Sequence, residues 1–213
     1  CLDALGRRAL QALADSAARV CKGAATSSAL VAIGNPFLEV IGHVLRHGID
    51  LVVKAARPLT GLHGLVFAST DQHLLRKCPC PVWLRAAEAA PHPRRVVAAV
   101  DVDLWDAGEP ETLTDLNRRV IETALRLAPA EGGTVHVLHA WEAVGEGLVW
   151  TFANDGDARG AAARYVEEVE GQRRAALTRL VQPFLQGDGP APTLADALLR
   201  GPARRVIPEE AHR

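Results

Sequence analysis

The stretch "HGIDLVVKAARPLTGLHGLVFASTDQHLLRKCPCPVWLRA", residues 47–86, carries the pattern that decides the fold. Residues 49–53 form a short, continuous apolar run, which is typical of a strand buried on both faces. A loop with proline and glycine follows, and residues 62–77 then have helical periodicity. Residues 82–84 form another apolar run after two prolines. The stretch therefore predicts a strand–helix–strand unit of a parallel sheet.

The same alternation extends towards the start of the chain. Residues 2–20 carry apolar side chains at helical spacing, and residues 29–33 form another strand of the buried type. Asn35 and Pro36 suit the first positions of a helix, because asparagine caps helices well and proline loses no hydrogen bond at the first turn. This helix is predicted to stop near Gly48.

Beyond a linker of alanine and proline at residues 86–93, strands and helices alternate again. The polar, glycine-bearing segment 142–160 is predicted to be a loop. Strands are predicted at residues 95–101, 134–140 and 193–199, and helices at residues 113–127, at residues 161–185 and after Gly201 and Pro202.

Composition narrows the class of protein. The 213 residues include 24 basic and 25 acidic side chains, a formal net charge of −1, so neither nucleic acid nor an anionic membrane is expected as a partner. No apolar run approaches the roughly 20 residues that span a bilayer. The four cysteines are too few for a disulfide scaffold, which indicates free thiols in the cytoplasm. The lack of methionine and the start at Cys1 suggest a fragment.

An internal repeat indicates two domains. "ALVAIGNPFLEVI" at residues 29–41 and "ADALLRGPARRVI" at residues 195–207 share a strand, a glycine turn, a proline and a closing Val-Ile pair, at a constant offset of 166. Any strand–helix unit of a parallel sheet has some of these features. If the repeat is genuine, neither half closes its sheet within this sequence.

The stretch 47–86 resembles the last third of a universal stress protein domain, through Asp50-Leu51-Val52-Val53 and Cys80-Pro81-Val82. "RRVVAAVDVD" and "TVHVLHAWE" are similar to the first and second strands of that family. The resemblance implies an α/β fold of two flavodoxin/Rossmann-like (HUP-type) parallel-sheet domains in tandem, paired as a pseudo-dimer. Residues 1–88 would be the C-terminal part of the first domain, and residues 94–213 the N-terminal part of the second.

The resemblance also implies where a nucleotide would bind. Nucleotide-binding members hold ATP phosphates in a Gly-x2-Gly-x9-Gly-Ser/Thr loop, whose backbone N–H groups approach the anion closely. In the first domain the matching positions are Ala55, Pro58, Ala68 and Ser69. Only Ser69 keeps the pattern, and Pro58 also removes a donor. We therefore expect the first domain not to bind ATP in the usual pose.

In the second domain, Asp101 matches the nucleotide-contacting aspartate of the family, and Ala140 matches a residue that lines the adenine pocket. Asp103 is a weaker candidate, because the family usually has Asp-Gly-Ser where this chain has Asp101-Val102-Asp103-Leu104. ATP is thus the candidate cofactor of this domain. A local alternative for Asp101 is to hydrogen-bond the loop that follows it.

Several other side chains have a chemical interpretation and a structural one. His73, Cys78 and Cys80 could form a metal or redox site, but Cys-Pro-Cys lacks the usual zinc spacing, and packing beside a strand is simpler. Trp105 and Trp141 could line an apolar cavity or pack in the core.

Two further patterns are predicted from spacing alone. His136 and His139, three residues apart on one strand, should face opposite sides of the sheet. The charged residues 167–174 indicate a solvated helix face.

The resemblance implies a non-enzymatic, ligand-binding protein that acts in survival under stress, by binding a small or apolar ligand or through protein contacts. The rivals are an ATP-binding, weakly hydrolysing switch in the second domain and a thiol or metal protein that works through Cys78 and Cys80. A homo-oligomer is a further expectation.

Overall fold

The computed structural model describes residues 2–20, 27–56, 70–86, 93–103, 108–152, 158–185 and 190–213. The chain divides into two units, Cys1–Ala89 and Ala90–Arg213. Both are built of helices and parallel strands, so the predicted α/β class is confirmed. The assignment of residues 1–88 and 94–213 to parts of two universal stress protein domains stays a prediction. Each described helix is too short or too polar to span a bilayer.

Unit 1 contains three described helices and a two-stranded parallel sheet. Val52 lies opposite Val82 and Ala55 opposite Arg85, and residues 70–77 are helical, so the strand–helix–strand prediction is confirmed for these parts. Residues 62–69 of the predicted helix lie outside the described residues. The elements are α1 (Leu2–Val20), α2 (Pro36–His47), β1 (Val52–Ala55), α3 (Thr70–Lys77) and β2 (Val82–Arg85).

Helix α2 ends as the sequence predicts. Gly48 has φ 59° and ψ 47°, a left-handed conformation that glycine adopts without steric cost, and its N–H bonds to the carbonyl of Val44. The N–H of Ile49 also points to the Val44 oxygen, at 3.2 Å. Because this donor closes the helix, Ile49 does not join a ladder. Strand β1 therefore begins at Val52, three residues later than predicted.

The strand predicted at residues 29–33 is wrong. The segment is extended but joins no ladder, and Ile33 is 78% exposed. The counterpart of residues 29–33 in the repeat is residues 195–199 of unit 2, which pair with a neighbouring strand. In unit 1 the described element that precedes residues 29–33 is helix α1. A strand needs a neighbouring strand for its backbone groups, so apolar composition alone was insufficient.

Unit 2 is a three-stranded parallel sheet with helices on both faces. The strand order is β3-β4-β5, with Arg95 opposite Thr134 and Thr134 opposite Thr193. The elements are β3 (Arg95–Ala99), α4 (Pro110–Leu127), β4 (Thr134–Trp141), α5 (Glu146–Phe152), α6 (Ala158–Val181), a 3₁₀ turn (Gln182–Phe184), β5 (Thr193–Arg200) and α7 (Ala203–Ala211).

The core of unit 2 lies between its sheet and helices α4 and α6. Ile121 from α4 and Leu177 from α6 are fully buried against Val135 and Val137 of β4. Helix α7 contacts β3 and β4, where it buries Val206. Because side chains alternate along a strand, His139 and Trp141 share the α4–α6 face with Val135 and Val137.

The loop prediction for residues 142–160 is wrong in part, because α5 lies inside it. The carbonyl of Gly145 accepts the N–H groups of both Leu148 and Val149, which starts the helix. Glu146 then pairs with Arg200 of β5 at 2.5 Å, a contact that sequence spacing does not reveal. Helix α6 itself ends at Val181, where Pro183 fits only the 3₁₀ turn.

Replacement of Ile121 by alanine should lower the free energy of unfolding by about 2–5 kcal/mol, because it leaves a cavity in a fully buried site. Leu116→Ala is the matched control, since Leu116 lies on the same helix but is 55% exposed, and it should change stability by less than about 0.5 kcal/mol. Urea unfolding followed by circular dichroism measures both. Equal losses in the two variants would contradict the core described for unit 2.

Candidate functional site

The polar side chains of unit 2 converge at the carboxyl ends of β3 and β4. Asp101 and Asp103 follow β3, while His139 and Trp141 are among the last three residues of β4. Parallel strands present their carboxyl ends at one edge, where open α/β sheets bind ligands. The structure thus brings Asp101 and Asp103 together with two side chains from the neighbouring strand.

His139 is buried, at 2% exposure, and its two ring nitrogens have different surroundings. Nδ1 lies 3.1 Å from the carbonyl oxygen of Val100, to which only a protonated Nδ1 can donate, and the N–H of Val102 is directed at the same nitrogen from 3.5 Å. The shorter contact favours the tautomer in which Nδ1–H donates to Val100. Nε2 is then an acceptor, and no described group hydrogen-bonds to it. Its neighbour is Oδ2 of Asp103, at 3.9 Å.

Asp101 takes part in a hydrogen-bonded loop. Its side-chain Oδ1 accepts the N–H of Asp103 at 3.0 Å, and its own backbone N–H donates to Oδ1 of Asn117 at 3.0 Å. Asn117 Nδ2 in turn donates to the backbone oxygen of Asp101 at 2.5 Å. The local alternative for Asp101 therefore operates, although its side chain is 61% exposed. Its ligand role stays a prediction.

Asn117 was not identified from the sequence. The sequence signal that could have found it is an amide side chain in the middle of an amphipathic helix. In the structure Asn117 is only 4% exposed. Asparagine is a poor helix former, so its presence inside α4 indicates a specific hydrogen-bonding role.

Asp103 forms an ion pair with Arg173 of α6. Nη2 of Arg173 donates to Oδ2 of Asp103 at 3.1 Å. Nε of Arg173 lies 2.7 Å from Oδ1, but the angle of this contact does not allow a hydrogen bond. The prediction of a solvated face is wrong for Arg173, because i, i+4 spacing places it beside Val169 and Leu177 on the inward side. It holds for Arg174, which lies 3.8 Å from Glu170.

Trp141 belongs to the core, as the packing alternative predicts. It is buried, and the guanidinium carbons of Arg173 and Arg200 lie 5.6 Å and 5.8 Å from its ring centroid. Such distances permit cation–π attraction, which steadies both arginines. Trp105 lies outside the described residues.

A cavity of about 510 Å³ opens beside the Asp103–Arg173 pair. The hydroxyl of Tyr165 accepts the N–H of Gly145 at 3.3 Å, and a Cβ on Gly145 would lie only 2.8 Å from that hydroxyl. A side chain at position 145 would therefore have to displace the hydroxyl of Tyr165. The lining residues are Val102, Asp103, Val144, Gly145, Tyr165, Val169, Gln172, Arg173, Ala176 and Arg179.

Ala140, the other site residue predicted for unit 2, does not line this cavity. Ala140 lies on the opposite face of β4 from His139, on the side of α7. His136 shares that face and lies 3.9 Å from Glu210, so the prediction that His136 and His139 diverge is confirmed. In unit 1, Ala55 ends β1. Pro58, Ala68 and Ser69 lie outside the described residues.

Cys78 and Cys80 are free and half-buried, with their sulfur atoms 3.7 Å apart. Burial, followed by the hydrogen bond and charge of Cys78, raises the pKa of the Cys80 thiol above its ordinary value. The ring of His73 stacks on Phe37, with centroids 4.3 Å apart. Packing thus accounts for His73 without a metal.

Comparison with known proteins agrees with this architecture. The model of the universal stress protein family matches residues 3–84. Universal stress protein E of Escherichia coli K12 is 35% identical over 107 residues, or 50% of this chain and 33% of that protein. The Haemophilus influenzae homologue is 33% identical over 122 residues, or 50% of this chain and 38% of its own length. The chain thus matches about a third of the length of these relatives.

Two solved structures extend the agreement to the whole chain. A protein of unknown function from Pseudomonas aeruginosa PAO1 superposes with a TM-score of 0.60 at 24% identity, over 97% of this chain and 63% of that one. A universal stress protein from Archaeoglobus fulgidus has a TM-score of 0.54 at 15% identity, over 99% and 63%. At such identities they support the fold alone.

The parallel sheets define an α/β protein of Rossmann-like fold, with a cavity beside the carboxyl edge of the second sheet. The family model covers residues 3–84, and the curated relatives are matched over about a third of their length, so the chain is similar to universal stress proteins over these parts.

Removal of either partner of the Asp103–Arg173 pair should destabilise unit 2. Asp103→Asn leaves a buried guanidinium without its counter-charge and should cost about 1–3 kcal/mol, less than a fully buried pair because Asp103 is 27% exposed. The double variant Asp103→Leu/Arg173→Met should recover most of that loss. Urea unfolding tests this, with Glu170→Gln, from an exposed pair on the same helix, as the control. Additive losses in the double variant would refute the pairing.

Alkylation of Cys80 should require a higher pH than alkylation of free cysteine. The raised pKa keeps the thiol neutral, and only the thiolate reacts. Cys78→Ser should move the midpoint downwards, because it removes the neighbouring thiol. Iodoacetamide labelling as a function of pH, mapped by mass spectrometry, gives the midpoint. A midpoint below that of free cysteine would indicate an activated thiol instead.

Proposed function

We propose that this protein is a universal stress protein and acts by binding a small molecule with an apolar body and an acidic group in the cavity of unit 2, without catalysis. The observation that carries the proposal is the composition of the cavity at the carboxyl edge of the sheet. Its volume of about 510 Å³ lies within the range of small-molecule sites.

The apolar part of the ligand would contact the inner wall. Val102, Val169 and Ala176 supply that wall, and burial of apolar surface against it contributes roughly 25 cal/mol per Å². Few polar atoms there would need a partner, so an alkyl or ring system fits better than a sugar.

The acidic group would lie near Arg179, an exposed side chain of α6 that borders the cavity. Arg173 also borders it, but Asp103 already balances that charge. Arg179 is therefore the side chain that we expect to distinguish an anionic ligand from a neutral one. A charged hydrogen bond of this kind contributes about 1.5–3 kcal/mol.

ATP in unit 2 is the second candidate, favoured by the position of Asp101. Its side chain lies at the carboxyl end of β3 and is exposed. Two observations weigh against it. Oδ1 of Asp101 is engaged by the N–H of Asp103, and the loop sequence departs from Asp-Gly-Ser. The thiol candidate is weaker still, because the raised pKa of Cys80 disfavours its reactive form.

The surroundings of the protein follow from the same features. The free thiols of Cys78 and Cys80 favour the reducing cytoplasm. A net charge of −1 gives no attraction to nucleic acid or anionic lipid. Pairing of two domains within the chain, and pairing of chains, remain part of the proposal.

Sodium octanoate, 1-octanol and Mg-ATP are suitable probes for calorimetric titration. Octanoate should bind more tightly than octanol. Arg179→Gln should weaken octanoate binding about tenfold and leave octanol unaffected, because only the carboxylate needs the guanidinium. Val169→Trp should abolish binding of both, since the indole fills the cavity.

Two controls lie on the same helix but away from the cavity. Arg174→Gln matches the change in charge, and Ala163→Trp matches the change in size at an exposed position. Both should bind octanoate like the parent. Equal affinity for octanoate and octanol, or binding that survives Val169→Trp, would refute the proposed ligand class. Tight ATP binding that Asp101→Ala removes would replace it with the nucleotide candidate.

A further inference from the structure

The side chains of Asp101, Asp103 and His139 form a convergent set of metal-ligand types. One donor atom from each of the three lies within 4.8 Å of the other two. Two carboxylates alone would be an ordinary acidic surface. The set differs from one because the imidazole of His139 is buried, and its Nε2 has no hydrogen-bonding partner among the described groups.

We infer that these three residues form a binding site for a divalent transition-metal ion, at the edge of the cavity. His139 Nε2 and one carboxylate oxygen from each aspartate would be its protein ligands. The inference is independent of the organic ligand, since none of the three donors depends on a molecule in the cavity.

The hydrogen bonding of His139 matches that of a metal ligand. Metal-bound histidines donate their second ring N–H to a backbone carbonyl or carboxylate, which fixes the tautomer and directs the other lone pair at the ion. Here Nδ1 lies 3.1 Å from the carbonyl oxygen of Val100. The second shell of a histidine ligand is therefore already in place.

Asp103 needs only a small adjustment to share an ion with Nε2 of His139. Oδ1 of Asp101 lies 4.0 Å from the other ring nitrogen, Nδ1, so its exposed side chain must rotate towards Nε2. Nε2 of His139 and Oδ2 of Asp103 are 3.9 Å apart. Two donors that are each about 2.1 Å from a tetrahedral zinc ion lie roughly 3.4 Å from one another. A contraction of about half an ångström, within the reach of the Asp103 side chain, would close that gap.

Arg173 is the internal competitor for the ion. Its guanidinium pairs with both carboxylate oxygens of Asp103, at 2.7 Å and 3.1 Å. A metal ion that takes Asp103 must displace this cation or share the carboxylate with it, and the like charges repel. Arg173 should consequently lower the affinity of the site, and its removal should raise it.

The donor set selects the kind of ion. One imidazole and two carboxylates suit Zn²⁺ or Mn²⁺, whereas Mg²⁺ and Ca²⁺ prefer oxygen alone. Three protein ligands leave at least one coordination position open. Because Asp103 lines the cavity, that position would lie beside it.

The experiment uses the full chain with its four cysteines replaced by serine, so that thiols do not capture zinc. Calorimetric titration with Zn²⁺ and with Mn²⁺ should show one ion per chain. Asp103→Asn and His139→Gln should each weaken binding about 100-fold or more, since even second-shell losses cost 10–100-fold. Arg173→Gln should tighten binding, by about fivefold or more, because it removes the competing charge.

His136→Gln is the matched control, because His136 is on the same strand and near a carboxylate but faces the other side of the sheet. It should bind metal like the parent. The ¹⁵N resonance of His139 Nε2 should also move on addition of Zn²⁺, a direct readout that remains informative if His139→Gln fails to fold.

Four results would overturn the inference. They are the absence of Zn²⁺ and Mn²⁺ binding in the parent, binding that survives Asp103→Asn, an Nε2 resonance that zinc leaves unchanged, and weaker or equal binding in Arg173→Gln. None of them bears on octanoate binding, so the metal site and the proposed ligand can fail separately.

Discussion

The parallel register between β3 and β4 determines most of what unit 2 can do. Arg95 opposite Thr134 sets the two strands so that Val100, Asp101 and Asp103 emerge beside His139. In an antiparallel pair the end of one strand would lie beside the start of the other, and these groups would be separated. The buried contact between His139 and the Val100 carbonyl is a direct product of this register.

Charge compensation then shapes the site. Asp103 emerges from the sheet edge towards α6, and Arg173 reaches it from a helix position that otherwise carries apolar side chains. The charges of Asp103 and Arg173 balance each other, and the guanidinium of Arg173 also lies over the ring of Trp141. What remains for a ligand is the apolar wall and Arg179 at the rim of the cavity. Nε2 of His139, which is not in the cavity lining, has no hydrogen-bonding partner among the described groups. The cavity and the inferred metal site are consequences of this arrangement.

Local sequence patterns were reliable where the interactions that start or end an element lie within the element itself. Helix α2 begins at Pro36 and ends at Gly48, because ring geometry and left-handed glycine are properties of those residues themselves. The pattern failed at residues 29–33, where apolar composition predicted a strand but no strand among the described residues pairs with the segment. It also failed at α5, whose Glu146 is held by Arg200 from a distant strand.

The sequence by itself determined the α/β class, the parallel sheets and the separation of His136 from His139, because all three follow from periodicities along the chain. The choice of Asp101 as a site residue came from the family resemblance. Only the tertiary structure decided that Arg173 is buried on Asp103, that Asn117 holds the Asp101 loop, and that Trp141 is core. These contacts join residues tens of positions apart. Their energies depend on burial and distance, and neither quantity exists before the sheet has formed.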